Sequence, residues 1–225
     1  MTTRRSTHST AAPAPSTEVG SVPDQVQCES CGRVAEVVEP APDSNPLPEW
    51  WTEDLEETND TSGYRSVHKC PRCSRSKGAF DVALVGCTKR KRDEPTQAAD
   101  LYDESPLFRR RRRIALDHAG QWAILSAEHG LVHPATELGP YNTHIRDIDV
   151  DEWVAEVLRD LAPLVGAGDR VVILAGAQDY VDPVRAPLRE LEVDVAAPLR
   201  KQPPGIQFNI LDDLMEALDE HTAVM

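Results

Sequence analysis

Short apolar runs alternate with amphipathic stretches over the last two thirds of the chain, and this alternation most constrains the fold. Three runs predict strands, namely FDVALVGC (80–87), QWAILSA (121–127) and RVVILAGA (170–177). Three stretches with helical spacing predict helices, namely residues 105–119, 149–166 and 208–224. Strands that alternate with helices pair in parallel through right-handed crossovers. We therefore predict a three-layer α/β domain with a mainly parallel sheet over residues 78–225.

The three predicted strands run into similar segments, which we expect at one edge of the sheet. These are GCTKRK (86–91), SAEHGLVHP (126–134) and AGAQDY (175–180), and each sets small residues beside polar ones. Ligands of open α/β sheets bind beyond the carboxyl ends of the strands, where small residues let the backbone approach. This predicts a cleft in which Thr88, Lys89 and Lys91 bind a phosphate or carboxylate. The alternative is that the lysines belong to a solvated loop.

Three side chains at these strand exits are candidates for catalysis. Cys87 is a candidate nucleophile with His129 as its base, and Ser126 is a second candidate nucleophile. Ser126 lacks the G-x-S-x-G turn, so an α/β-hydrolase triad is not supported. Cys87 fits a small residue buried at the end of a strand better than it fits a nucleophile. The sequence leaves open whether the protein is an enzyme.

Five consecutive arginines, Arg109 to Arg113, lie in the predicted helix 105–119. Because five successive side chains circle a helix completely, the predicted apolar stripe forces Arg111 to the edge of the core. The side chains expected to bind phosphate are Arg109, Arg112 and Arg113. The carboxylates that would neutralise the cluster instead are Asp100, Asp103, Glu104 and Asp117.

Two Cys-x-x-Cys pairs precede the α/β domain: Cys28 with Cys31, and Cys70 with Cys73. Because reducing compartments keep thiols free, this ligand set predicts a tetrahedral zinc site. Four sulfur ligands leave no position for water, so the zinc would be structural. His68 is an alternative ligand, and idle thiols are the alternative to a metal site. We expect a zinc-ribbon-like module over residues 23–77, with an acidic, Pro-rich insertion whose Trp50 and Trp51 cover the pairs.

The N-terminal segment and the net charge indicate where the protein is expected to act. Residues 1–22 are rich in Ser, Thr, Ala and Pro and predict a disordered tail. The formal net charge of −14 fits a salt-rich cytoplasm or simply an acidic protein of ordinary habitat. No apolar run approaches the ~20 residues that span a bilayer, and the polar N-terminus lacks the apolar core of a signal peptide. We expect a cytoplasmic protein with no membrane partner.

The motifs VALVGCTKRK, LYDESPLFRRRRRIA and WAILSAEHGLVHPATELGPYNTHI resemble an uncharacterised α/β domain family of prokaryotes and their viruses. That family combines Cys-Thr/Ser-Lys-x-Lys with Ser-x-x-x-Gly-Leu-x-x-Pro and Pro-Tyr. The matching positions here are Cys87, Thr88, Lys89, Lys91, Ser126, Gly130, Leu131, Pro134, Pro140 and Tyr141. The later motif is also similar to the peroxide-stress-protein (YaaA-like) family, associated with DNA binding. The overall plan of the α/β domain is distantly similar to that of the central domain of archaeosine synthase, a tRNA-modifying enzyme.

These features together predict a protein that associates with nucleic acid or nucleotides. Lysines and the arginine helix would contact phosphates, and Ser126, His129 and Tyr141 would contact a base or sugar, with Tyr141 stacking. Gly130 is a further residue expected to bind the ligand or its phosphate. The tRNA-modification likeness implies glycosidic chemistry on a base if the protein is catalytic. One alternative is a Cys/His-dependent hydrolase or transferase that acts on a small molecule through Cys87. Another is a non-enzymatic module that docks a protein partner through its zinc site.

Overall fold

The structure is a computed structural model that describes residues 25–37, 47, 50–57, 64–75 and 78–224. The predicted disordered tail, residues 1–22, and most of the acidic insertion lie outside the described residues. Among the described residues, no helix combines the length and the apolar character needed to cross a membrane.

Two small antiparallel hairpins and a short helix carry the cysteine pairs, and we call the described residues 25–75 the N-terminal module. Its elements are β1 (Gln25–Gln27), β2 (Val34–Glu36), β3 (Thr52–Glu57), β4 (Tyr64–Lys69) and α1 (Pro71–Ser74). The turn between β1 and β2 holds the first pair, and Gly32 allows it by adopting φ +76°. The backbone N–H of Glu29 donates to the carbonyl oxygen of His68 at 3.0 Å, so the two hairpins are joined.

A five-stranded sheet forms the centre of the larger part of the chain. Its strands are β5 (Phe80–Gly86), β7 (Ala119–Ser126), β8 (Gly130–Val132), β10 (Arg170–Leu174) and β11 (Asp194–Ala196), and a separate pair consists of β6 (Thr96–Gln97) and β9 (Glu137–Leu138). The strand order is β11-β10-β5-β7-β8. All neighbours pair in parallel except β8, which runs antiparallel to β7. The predicted mainly parallel sheet is therefore confirmed.

Helices cover both faces of this sheet. They are α2 (Ala98–Leu101), α3 (Pro106–His118), α4 (Val150–Leu161), α5 (Gln178–Glu190) and α6 (Pro204–Val224). Side chains alternate along a strand, so Val82 and Leu84 of β5 pack with α4 and α5, while Ala83 and Val85 pack with α3 and α6. The predicted three layers are confirmed.

The structure also contains elements that the sequence did not predict. Helix α5 holds Pro183 and Pro187 in its interior, where proline removes a backbone donor, so the segment lacks the usual signal of a helix. Strands β8 and β11 have three residues each, too few to show a periodicity. Helix α4 ends at Leu161, before the predicted end at residue 166.

An ion-pair cluster joins the N-terminal module to the amino end of the sheet. Asp169 precedes β10, is 6% exposed, and accepts hydrogen bonds from Arg75 at 3.1 and 2.8 Å. Arg72 approaches the same carboxylate at 3.5 Å. We call these three residues the Asp169 clamp. Nearby, Arg33 donates to the carbonyl oxygen of Pro163 at 2.9 Å, so several contacts hold the module in place.

Candidate functional site

The four predicted cysteine ligands form one cluster in the N-terminal module. Their sulfur atoms all lie within 4.8 Å of one another, and the Sγ atoms of Cys31 and Cys70 are 3.6 Å apart. Tetrahedral zinc with sulfur bonds of about 2.3 Å separates its ligands by about 3.8 Å. No cysteine of the chain is in a disulfide, and His68 is not part of the cluster. Cys28, Cys31, Cys70 and Cys73 can therefore hold a metal ion.

The surroundings of the thiols favour a bound cation. Burial alone would raise the pKa of the Cys28 thiol, but hydrogen bonds from the backbone of Cys70, Cys31 and Ser30 lower it to about 6. Burial and the neighbouring thiols together raise the pKa of Cys73 to about 12. One thiolate thus opposes the ionisation of the next, and a divalent cation stabilises all four as thiolates. Trp51 packs against this cluster, whereas Trp50 packs edge-on against His133.

A second candidate site lies at the carboxyl edge of the sheet. It has two adjoining compartments, of about 650 and 400 Å³, whose shared wall consists of Cys87, Thr88, Lys89 and Tyr180. The larger one also contains Arg111 and Lys201 and, among its described lining residues, no carboxylate, so we call it the basic compartment. The smaller one, which we call the polar compartment, is completed by Lys91, Asn142, Thr143, His144 and Asp147. Sizes of this order suit small-molecule ligands.

Arg111 lies beneath the basic compartment and is only 4% exposed. The buried residues of α3 follow a helical spacing that places Arg111 between Phe108 and Ile114, inside the buried face and not at its edge as predicted. Its Nη1 donates to the carbonyl oxygen of Gly86 at 3.2 Å, and its Nη2 to Oε1 of Gln207 at 2.5 Å. Burial lowers the pKa of this guanidinium to about 10.

The other arginines of α3 already have partners. The contacts are Arg110 to Asp212 at 2.8 Å, Arg112 to Asp100 at 3.2 Å and to Asp103 at 3.4 Å, Arg113 to Asp117 at 3.3 Å, and Arg109 to the carbonyl oxygen of Asp103. Arg111 alone of the five lines the basic compartment. Aspartates therefore neutralise Arg112 and Arg113 within the protein, whereas Arg109 contacts a neutral carbonyl, and phosphate binding by these three arginines stays a prediction.

A network centred on Tyr141 supports the turn after β7. The Tyr141 hydroxyl lies 2.6 Å from both the Tyr102 hydroxyl and Oγ of Ser126. The Ser126 hydroxyl also accepts the backbone N–H groups of Glu128 and His129 at 3.2 and 3.1 Å. Ser126 is fully buried, so the structure places this candidate nucleophile in a structural network. Gly130, also buried, adopts φ +63° in the same turn and lines neither compartment.

Lys91 is held by aromatic rings and not by an acid. Its Nζ lies 4.0 Å from the ring centre of Tyr141 and 5.6 Å from that of Tyr102, and it donates to the carbonyl oxygen of Thr88 at 3.1 Å. In the described part of the chain it has no carboxylate partner, and burial lowers its pKa. Cation–π contacts of this kind stabilise a partly desolvated ammonium. The Lys91 charge is thus available to the polar compartment.

No hydrogen bond among the described residues joins Cys87 to His129, its predicted base. Cys87 is half-buried in the shared wall, with its Sγ 3.6 Å from the Tyr180 hydroxyl. His129 is exposed, packs edge-on against Tyr141 at 4.9 Å between ring centres, and lines neither compartment. His144 does line the polar compartment with Cys87. Its Nδ1 accepts the backbone N–H of Arg146 at 3.2 Å, which places the proton of a neutral ring on Nε2.

A family model described as "Family of unknown function (DUF6884)" matches residues 82–213, which is more than half of the chain. The chain belongs to this family. No curated protein and no solved structure matches it, so the resemblance to the peroxide-stress-protein family and to archaeosine synthase gains no support. The DUF6884 region runs from β5 into α6 and contains both compartments, whereas the four clustered cysteines lie outside it.

Several residues of the cleft in the DUF6884 region escaped the sequence analysis. Lys201 and Gln207 belong to the loop and first turn that lead into α6, whose start was predicted at residue 208. Tyr180 stands in the quoted AGAQDY segment, so its position at a strand exit was a usable signal. Gln207 shows no such signal, because its importance depends on the contact with Arg111 across the fold.

Proposed function

We propose that the DUF6884 region binds a nucleotide, either free or as part of a nucleic acid, in the two-compartment cleft. The observation that carries this proposal is the shared wall, which joins a polar compartment to a basic compartment that has no carboxylate among its described lining residues. A nucleotide has the same division, because its phosphate needs cations and its base and sugar need polar and aromatic partners. In the proposal the phosphate lies near Lys89 and Lys201, and the base or sugar lies near Lys91 and Asn142.

The basic compartment stands out because the protein as a whole is acidic. The chain carries a formal net charge of −14, so its average field repels a polyanion. Close contacts must then supply the affinity, and Lys89, Arg111 and Lys201 are the cations that the basic compartment offers for them among its described lining residues. Outside the cleft, aspartates already face Arg110, Arg112 and Arg113.

Binding to nucleotides and nucleic acids tests the proposal. Wild type and a cleft variant, Lys89→Gln/Lys201→Asn, are titrated with the four common nucleoside monophosphates, tRNA, single-stranded DNA and duplex DNA over a salt series. Asparagine is chosen because position 201 has φ +64°, which asparagine tolerates. We expect the cleft variant to lose about tenfold in affinity, equivalent to ~1.4 kcal/mol. Its salt slope should fall by about one for each phosphate contact removed.

The matched control removes the same charge from the arginine helix. Arg109→Gln/Arg113→Gln should bind within about twofold of wild type, because exposed, partnered arginines contribute little. Wild type that binds none of these ligands at any salt would contradict the proposal. If only this control variant loses affinity, the phosphate contacts are made by α3 and not by the cleft.

A thiol enzyme is the second candidate function, and the position of Cys87 in the wall of both compartments favours it. Alkylation by iodoacetamide, with the four clustered cysteines protected by saturating zinc, measures the reactivity of Cys87. Fast alkylation at neutral pH that disappears in Cys87→Ser would support a nucleophile. We expect slow alkylation, because no imidazole nitrogen within the described residues forms a hydrogen bond with the Cys87 sulfur.

We also propose that the cysteine cluster binds zinc with a structural role. Four thiolates suit zinc, and they leave no open position for a reacting water. The residues that would hold it are Cys28, Cys31, Cys70 and Cys73. Mass spectrometry of the native protein should show one zinc per chain, and iron in its place would contradict the assignment.

A further inference from the structure

Arg111 is a buried cation whose charge has no counterpart in the described residues. Its side chain is 4% exposed, and its two hydrogen bonds go to neutral acceptors, the carbonyl oxygen of Gly86 and the amide oxygen of Gln207. Its Nε is buried without a partner. A buried charge is costly unless an opposite charge compensates it. The fold therefore maintains a cation beneath the basic compartment, although the same helix pairs three of its neighbours with aspartates.

The surroundings of Arg111 keep that cation in place and open toward the cleft. Nε2 of Gln207 donates to the carbonyl oxygen of Gln202 at 2.6 Å, which turns Oε1 toward Arg111. Gly176 makes room for this amide, since a Cβ at that position would lie 2.1 Å from Nε2 of Gln207. Two of the five guanidinium N–H groups have acceptors, so the fork retains donors for a ligand.

The start of α5 adds donors to the wall of the basic compartment. Its N-cap, Ala177, provides no side-chain cap, so the first amide N–H groups of this 13-residue helix are not satisfied by a capping oxygen. Ala177 and Gln178 line the compartment. The carboxylate of Asp179 in the same turn is paired with Arg146 at 3.0 Å. A helix start of this kind attracts anions.

We propose that Arg111, Lys201 and the start of α5 form a subsite for a phosphate monoester. This inference rests on the proposed function and specifies its ligand as a nucleotide or a nucleic acid strand that carries a terminal phosphate. The three cations Lys89, Arg111 and Lys201, without a carboxylate among the described lining residues, match a group of charge near −2 better than the single charge of an internal phosphodiester. Free mononucleotides and phosphorylated strand ends share this chemistry.

The first test compares ligands on the wild-type protein, so it does not depend on a variant that folds. Isothermal titration uses inorganic phosphate, adenosine, AMP and 3′,5′-cyclic AMP, together with one oligonucleotide carrying either a 5′-phosphate or a 5′-hydroxyl. We expect AMP to bind at least about tenfold more tightly than cyclic AMP. A similar advantage of the phosphorylated oligonucleotide would identify strand ends as the source, and no such advantage would assign the subsite to free nucleotides. Equal affinity for AMP and cyclic AMP would overturn the subsite.

The second test changes the subsite itself. Arg111→Gln should remove the preference for AMP over cyclic AMP and leave adenosine binding within about twofold. Gly176→Ala should weaken AMP as well, because the new methyl group displaces Gln207 from Arg111. Arg110→Gln is the matched control, since it neutralises the adjacent arginine, whose partner is the exposed Asp212, and it should bind AMP like wild type. Undiminished AMP preference in Arg111→Gln and Gly176→Ala would overturn the proposal.

The same data separate the subsite from the proposed function. Phosphate and AMP of equal affinity, with no binding of adenosine, would retain the anion subsite and reject nucleotide binding. Adenosine, AMP and cyclic AMP of equal affinity would retain nucleoside binding and reject the subsite.

Discussion

Removal of metal by a chelator is expected to unfold the N-terminal module. The buried hydrophobic cluster around the cysteines consists of Val26, Cys28, Trp51 and Cys70 among the described residues, so two of its four members are ligands. A core of this size cannot offset the entropy of folding by itself, and structural zinc supplies about 10–16 kcal/mol in small domains. Cys70→Ser should have the same effect as chelation, because the buried position would lose its metal ligand.

Limited proteolysis and metal content check this expectation together. Cleavage of the full chain should appear within residues 25–75 on chelation and in Cys70→Ser, with loss of one metal per chain. Cys87→Ser is the matched control, since Cys87 is the one cysteine outside the cluster, and it should retain both the metal and the protection. A chelated protein with an unchanged cleavage pattern would show that the module folds without metal.

Replacement of Asp169 by alanine is expected to lower the free energy of unfolding by about 3–5 kcal/mol, as is typical when one partner of a buried ion pair is removed. Asp169 is 6% exposed, and its loss leaves the guanidinium of Arg75, 13% exposed, without its main partner. The backbone N–H of Gly166 also loses its acceptor, which lies 2.8 Å away. Urea denaturation measures the change. Asp117→Ala breaks the exposed pair with Arg113 and should cost at most about 1 kcal/mol.

The effect of Asp169 should depend on pH in a known direction. Burial alone would raise the pKa of this carboxyl, but the hydrogen bonds and charge of Arg75 outweigh burial and lower it below its ordinary value. A carboxyl with a lowered folded-state pKa stabilises the protein above its unfolded pKa of about 3.9, and this stabilisation is lost as the pH falls through the folded value. The difference in stability between wild type and Asp169→Asn should therefore be constant near neutral pH and shrink in acid. A constant difference down to pH values well below about 3.9 would show that the charge of Asp169 is not the cause.

The sequence predicted the sheet because its central strands are apolar on both faces. Strands β5, β7 and β10 are the buried middle of the sheet, and their runs of Val, Leu and Ile need no partner to be recognised. Helix α5 was missed, since its apolar residues Val181, Val184 and Leu188 face the core while two prolines interrupt the local signal. The helical conformation of this segment therefore depends on its packing against the core and not on its local sequence.

Some residues of the candidate sites could be predicted from local sequence, and others depend on contacts made only in the folded chain. The cysteine cluster follows from two local spacings, so its four members could be named from the sequence. The buried position of Arg111 could not be predicted, because the sequence does not distinguish it from the four adjacent arginines. It follows from the buried face of α3 and from the contacts with Gly86 and Gln207. Similarly, whether His129 lines the cleft depends on the turn after β7 and not on any motif.

The Asp169 clamp and the cleft lie at opposite ends of β10, so the length of that strand gives the approximate distance between them. Its five residues span roughly 17 Å at about 3.3 Å per residue. This is the rise of about five base pairs of duplex, at about 3.4 Å each. A mononucleotide bound in the cleft would be too short to reach the Asp169 clamp and the N-terminal module that it joins to the sheet, whereas a strand of several nucleotides would be long enough. The dependence of affinity on ligand length will thus show whether the two ends of the protein act on one molecule.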